Sequence, residues 1–195
     1  MTLEELYDIL ISEKPSNILK NREKELFKLI PELEQCKGFN QNNEWHIYDV
    51  YEHIMHVVDN VPSNLVLRLA ALFHDIGKPL SYTEDEKGIG HFYGHWEVSQ
   101  IIFNEFASNH NIDVNIRNRV SQLIYYHDIN LSKLDNDCLK EIADIFGNEG
   151  IAQLFELKRA DLLAQNEKYH YILNEYEVQK KKLIKIKGVD PNERK

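Results

Sequence analysis

The stretch Leu72-Phe73-His74-Asp75-Ile76-Gly77-Lys78-Pro79 sets an imidazole beside a carboxylate at the end of an apolar run, just before a glycine and a proline. Neighbouring residues on a helix diverge by roughly 100°, so adjacent side chains seldom meet one ion in mid-helix. At a helix end the backbone can bend enough for both to converge. Taken alone, the pair also reads as a polar dipeptide closing a core helix. The chain holds nine histidines, however, and several border apolar helical stretches. His53 sits beside Ile54 and Val57, His95 follows Phe92-Tyr93-Gly94, His127 lies one turn after Leu123, and Asp161 falls within Lys158-Arg159-Ala160-Asp161-Leu162-Leu163. Singly, each is read as a satisfied core histidine or a capping aspartate. Together with His74 and Asp75 they offer four imidazoles and two carboxylates, enough for one divalent ion or for a two-metal site. A bound divalent ion lowers the pKa of its water from 15.7 toward about 7, which makes a nucleophile at neutral pH. The set lacks thiolates, so one or two ions of Mn, Fe, Co, Ni, Zn or Mg are expected.

These residues must be positioned by helices, because the hydrophobic spacing is helical throughout. Thr2-Leu3-Glu4-Glu5 is a capping box, followed by a Ser/Pro/Asn break at Ser12 to Asn17. A second stretch runs through Leu26, Phe27 and Ile30 with Pro31 interrupting or restarting it, and Gly38 to Glu44 is a polar loop. Asp49-Val50-Tyr51-Glu52 is another capping box, leading a stripe of Val50, Ile54, Val57, Val58 and Val61 up to Pro62. Ser63 is placed to cap the next helix. Its broad stripe, Leu65, Leu69, Leu72 and Ile76 widened by Val66, Ala70 and Phe73, predicts a buried central helix ended by Gly77 and Pro79. Ser81 to Gly94 is long enough to suspect a role at a site mouth. Val98, Ile101, Ile102 and Phe106 mark a further helix, and Asp113 caps one with Ile116, Val120, Leu123 and Ile124. Helical stretches follow from about Asn136 to Phe146, from Glu149 to about Gln165, and from Glu167 to Lys187, stopping at Gly188. There is no strand of useful length, no internal repeat and no Gly-rich phosphate loop. The fold class is all-α: an N-terminal helical segment over 1–44, a helical body over 45–188 and a disordered tail over 189–195.

Composition narrows the function classes. A length of 195 residues with 43% hydrophobic and 28% charged residues suits one soluble domain with a short appendage. No apolar run approaches the roughly 20 residues that span a bilayer, and the acidic start, Met1 to Glu5, lacks the basic region of a signal peptide. No membrane association is expected. Cys36 and Cys138 form no C-x-x-C pattern and read as free thiols in a cytoplasmic protein. A net charge of −9 argues against strong non-specific nucleic-acid binding. The one basic run, Lys180 to Lys187, reads as a solvated helix end. The sequence sets no oligomeric state.

The order His53, His74-Asp75, Asp161 resembles the HD-domain superfamily of metal-dependent phosphohydrolases. The flanking text is more specific. Asp49-Val50-Tyr51-Glu52-His53, His74-Asp75-Ile76-Gly77-Lys78-Pro79, His91-Phe92-Tyr93-Gly94-His95 and Arg159-Ala160-Asp161-Leu162-Leu163-Ala164-Gln165-Asn166 are similar to the HD region of bacterial CCA-adding tRNA nucleotidyltransferases. So are the earlier segments Ser12 to Ser16 and Leu29 to Leu33, and the likeness covers roughly residues 10 to 180. Those enzymes carry a nucleotidyltransferase head before this region, and the sequence here starts after it, so CCA addition is not expected. The resemblance implies an HD-type helical bundle over 45–188, with His53, His74, Asp75 and Asp161 as ligands of a first metal. His95 and His127 match the extra histidines of two-metal members, with Asp75 bridging. His127 is followed by Asp128, where relatives often show another histidine.

The expected activity is hydrolysis of a small phosphate ester, a nucleotide or a related compound, by a phosphatase or phosphodiesterase, with Asp75 and Lys78 in catalytic roles. Lys78 is a candidate phosphate contact, or else a cation meeting the dipole at a helix end. Arg159 is two residues from Asp161, and i and i+2 point apart on a helix, so it faces solvent or a partner, or else reaches substrate. His91 either lines the loop over the site or is exposed. Tyr93 and Trp96 either stack on a base or belong to the core. His46, His56, His110 and His170 read as structural or surface. A non-catalytic, metal-stabilised helical module binding RNA or protein is the alternative. Hydrolysis of deoxynucleotides or guanosine alarmones ranks below both.

Overall fold

The computed structural model describes residues 1–187, and within them the regular secondary structure is almost entirely helical. The segment Val189 to Lys195, expected as a disordered tail, lies outside the described residues, as does Gly188. Four short helices open the chain: α1 (Leu3–Leu10), α2 (Pro15–Asn21), α3 (Glu23–Leu29) and α4 (Glu32–Cys36). Thr2 caps α1 as its sequence predicts, with both bonds of the capping box made. The break after α1 is shorter than expected, because Pro15 is the first residue of α2. Its fixed φ suits a first turn, where a missing N–H costs nothing. Leu6, Leu10, Leu19, Leu26 and Leu33 are fully buried and share one core with the rest of the chain. Through them α1 packs on α6 and α2 on α5.

The body follows as α5 (Val50–Asn60), α6 (Leu65–Phe73), α7 (Lys78–Ser81), α8 (His95–Asn109), α9 (Val114–Tyr126), α10 (Asn136–Leu163) and α11 (Leu173–Lys187). A two-residue hairpin, β1 (Thr83–Glu84) with β2 (Gly90–His91), interrupts the loop between α7 and α8. Helix α6 is the predicted central helix: Leu67 to Phe73 are all buried, and α5, α8, α9 and α10 pack around it. Three details of its surroundings differ from expectation. Asn64, not Ser63, caps it, its Oδ1 accepting from the Leu67 N–H, while Ser63 Oγ donates to the Ile11 carbonyl. The helix stops at Phe73, with His74 as its C-cap residue, so the bend falls on the His-Asp pair itself. At α5, Asp49 caps Glu52 N–H, but the Glu52 carboxylate pairs with Lys20 instead of closing the box.

The two helical stretches expected around Gly147 are present as α10, bent where Gly147 takes φ 63°, a conformation a β-carbon would oppose. The stretch from Glu167 begins as a 3-10 turn, Glu167–Ile172, before α11. On α8 the core face is His95, Ser99, Phe103 and Phe106, and Ile101 is exposed. No helix among the described residues is long and apolar enough to cross a membrane.

Candidate metal centre

Helix ends set the centre. His74 caps the C-terminus of α6 and Asp75 follows it, His127 caps the C-terminus of α9, and His95 is the first residue of α8. His53 comes from one turn into α5, and Asp161 from the last turn of α10. Because α5, α9 and α10 all pack on α6, these ends converge. All four histidines and Asp75 are buried, and Asp161 nearly so.

The six side chains form two groups that share Asp75. His53, His74, Asp75 and Asp161 offer ligand atoms all within 4.8 Å of one another, and so do Asp75, His95 and His127. In the first group Asp75 Oδ2 lies 3.2 Å from both His53 Nε2 and His74 Nε2, and Asp161 Oδ1 lies 3.0 Å from His53 Nε2. In the second, Asp75 Oδ1 lies 3.1 Å from His95 Nε2 and 3.5 Å from His127 Nε2. Each carboxylate oxygen of Asp75 thus faces one group.

The outer nitrogens of the rings fix their protonation. His74 Nδ1 is 2.8 Å from the Ala71 carbonyl, His95 Nδ1 2.8 Å from that of Phe92, and His127 Nδ1 2.7 Å from that of Ile124. His53 Nδ1 faces the Ala164 carbonyl at 3.4 Å. A carbonyl only accepts, so Nδ1 carries the hydrogen and a neutral ring turns a bare Nε2 lone pair inward. Those lone pairs then oppose each other, 3.3 Å apart between His53 and His74 and 3.2 Å between His95 and His127. Asp75 Oδ1 is buried and has no hydrogen-bond donor. Opposed lone pairs and an anionic oxygen without a donor are unfavourable in a dry interior, and a cation between them removes the conflict. The donor set fits one or two divalent ions, with imidazoles oriented through their outer N–H groups as metal-binding histidines are.

Electrostatics agree in direction. Burial opposes charge on Asp75, but the His74 imidazole and the Lys78 ammonium outweigh it and hold the carboxyl well below the usual range. Burial likewise opposes charge on Asp161, and the hydrogen bond from His53 overrides it. Burial would lower His53, yet the carboxylates of Asp161 and Asp75 hold it up at about 9. His127 is pushed down by burial. In the metal-free state one proton thus does, at His53, what a cation would do better.

Lys78 is buried, its Nζ 2.7 Å from Asp75 Oδ2 and 2.8 Å from Gln41 Oε1, with His46 Nε2 at 3.4 Å. It therefore braces the shared carboxylate, and it also lines the cleft. His91 stands on β2 at the cleft wall, stacked on Tyr93, with Nε2 3.4 Å from Asp85 Oδ2. Tyr93 is 76% exposed, so it is a rim residue and not core. Trp96 lines the same wall. Arg159 is not brought to the centre. It is exposed and lines a separate groove with Phe155 and Tyr176, because two residues of helix turn it away from Asp161.

The cleft has two joined compartments, of about 270 and 380 Å³, which share Trp45, His46, Asp128, Asp161 and Gln165. Several residues at or behind the cleft escaped the sequence reading. His46 stands between the compartments, pushed down to about 2 by burial and by Lys78. Gln41 orients Lys78, and Lys158, also buried, donates from Nζ to the carbonyls of His127 and Ile129. Trp45 stacks on Tyr169, which ties the loop before α5 to the 3-10 turn before α11. A lysine at helical spacing from Leu154 and Phe155, in line with their apolar face, was the one available signal for Lys158. The others lie in loops without periodicity.

Comparison with known proteins agrees with this geometry. The HD domain family model matches residues 45–164. The A-adding tRNA nucleotidyltransferase of Deinococcus radiodurans is 35% identical over 75 residues, covering 35% of this chain and 17% of that protein. The CC-adding tRNA nucleotidyltransferase of Thermus thermophilus is 37% identical over 103 residues, covering 49% of this chain and 24% of that protein. The chain thus spans a quarter or less of the length of these curated relatives. The family match covers well over half of the chain and contains every residue of both groups, and the chain belongs to the HD domain family of the metal-dependent phosphohydrolase superfamily.

Proposed function

We propose that this chain hydrolyses a small phosphate ester, a nucleotide or a related compound, at the paired His/Asp groups. The observation that carries the reading is the set of inward Nε2 lone pairs gathered on both oxygens of one buried aspartate. A divalent ion bound there supplies a water of lowered pKa and neutralises phosphoryl charge. Hydrolysis forms a bond from the water oxygen to phosphorus and breaks the phosphorus–oxygen ester bond, and the departing oxygen gains a proton. Asp75 orients the two ligand groups about a shared charge. Lys78 holds Asp75, and because Asp75, Gln41 and His46 occupy its donor directions it acts on a phosphoryl oxygen through its charge. Strand β2 and the loop carrying Trp45 form part of the cleft wall. The tRNA-modifying names of the relatives support a nucleotide or RNA-end substrate.

Metal analysis with a generic diester assay tests this. The protein as purified is expected to hold divalent metal and to cleave bis-p-nitrophenyl phosphate, and Asp75→Ala to lose both. Tight metal without turnover on a broad ester panel would favour the metal-stabilised module, and no metal at all would remove both readings.

A further inference from the structure

The charges on the cleft walls bear on which phosphate ester enters. Sites that take chains of phosphates line them with arginine forks and free lysines. No arginine lines either compartment among the described residues. Two lysines do, and both are committed. Lys78 is held between Asp75 and Gln41, and Lys158 is 3% exposed with its ammonium on the His127 and Ile129 carbonyls, at 2.6 and 3.0 Å. His91 faces Asp85. Beyond the six clustered side chains the walls carry carboxylates: Asp128, exposed and lining both compartments, and Glu175 in the second. The first compartment is otherwise lined by uncharged side chains, among them Asn43, Gln165 and the aromatic Phe92, Tyr93 and Trp96. Tyr93, 76% exposed, stands at its rim with its ring stacked on that of His91, 8° from parallel.

We infer that the cleft selects esters of a single phosphoryl group bearing a flat aromatic ring, rejects di- and triphosphates, and owes the rejection to Asp128. This rests on the hydrolase reading above. One phosphoryl group meets the positive charge of the bound ions. A second or third must extend along a wall where Asp128 or Glu175 repels it, or over rings that offer no counter-charge. A flat ring has the exposed Tyr93 ring to stack on. Water cleaves the ester bond, leaving inorganic phosphate and an alcohol.

The test uses the full chain loaded with Mn²⁺ and desalted, so that no free ion masks the charge of the nucleotide. Hydrolysis of AMP, ADP and ATP is followed by product chromatography. The kcat/KM for AMP is expected to exceed those for ADP and ATP at least about tenfold, the size of one unrelieved like-charge contact near a protein surface. Asp128→Asn is expected to narrow that gap at least about threefold by raising the values for ADP and ATP. Equal or reversed preference overturns the inference, and so does a gap that Asp128→Asn leaves unmoved. If none of the three is cleaved, calorimetric binding decides selectivity, while the hydrolase reading stands or falls by the diester assay. AMP must then bind at least about tenfold tighter than ATP, and equal or tighter ATP binding overturns the inference.

Discussion

Replacing Lys158 by methionine should weaken the second ligand group from a distance. Lys158 Nζ donates to the carbonyls of His127 and Ile129 at the end of α9, where a helix leaves such oxygens unpartnered. Methionine keeps the length and apolar stem but removes both charge-assisted bonds, each worth about 1.5–3 kcal/mol net. Relief from burying an ammonium offsets part of this, and burial does hold Lys158 below its usual pKa. The balance is a loss of about 3 kcal/mol, or roughly 6–12 °C in Tm for a chain of this size. Because His127 itself caps α9, loosening its carbonyl also loosens its ring. The metal content of Lys158→Met, measured by mass spectrometry after dialysis, should fall by the ion of the second group while the first is kept. The alkaline limb gives a separate sign. Between the lowered folded-state pKa and the ordinary 10.5, the unfolded chain holds more protons than the folded one, so wild-type stability rises with pH there. The variant lacks that rise. Unchanged Tm together with full metal content would refute this account of Lys158.

Three further outcomes follow from the same geometry. Asp75→Asn keeps the shape but removes the charge shared by both groups, so hydrolysis should fall at least about a thousandfold, with affinity for both ions reduced; activity within tenfold of wild type would contradict the bridging role. In chelator-treated protein His53 is held up at about 9, so its contribution is full below its unfolded value of 6.5 and is lost as pH rises through 9. Metal uptake at pH 7 should accordingly expel about one proton, read from calorimetric enthalpies in buffers of different ionisation heat, and none expelled would disagree. Gly77→Ala should cost about 1–3 kcal/mol in chemical denaturation, because its new β-carbon would meet Ser99 N at 2.7 Å, the His95 carbonyl at 2.8 Å and Val98 Cβ at 2.9 Å. A neutral result would mean that α8 gives way there freely.

The six clustered residues were legible because each stands where a periodic apolar stripe starts, ends or turns inward. His74 and His127 fall at helix ends that the sequence marks, and His53 and Asp161 ride on faces whose neighbours are plainly core. Capping chemistry located the starts of α1, α5 and α9, though not the choice between Ser63 and Asn64, since either side chain can cap and only the bond from Ser63 to the Ile11 carbonyl decides. Long-range partners were not legible. Nothing local ties Gln41 to Lys78, 37 residues on, or Lys158 to a carbonyl 31 residues back. The wall formed by Trp45 and His46 lies in a loop held by Asn166 and Tyr169, more than 100 residues away. Arg159 was read from helix geometry as facing solvent or a partner, or else reaching substrate, and it is exposed and lines another groove.

The central claim is that the two His/Asp groups hold divalent ions on opposite oxygens of Asp75. Anomalous diffraction from crystals of the purified protein, collected on both sides of the absorption edge of the metal found by elemental analysis, addresses it most directly. Two peaks are expected, one among His53, His74, Asp75 and Asp161 and one among Asp75, His95 and His127, both touching Asp75. Peaks elsewhere, or none after growth in saturating metal, would contradict the account.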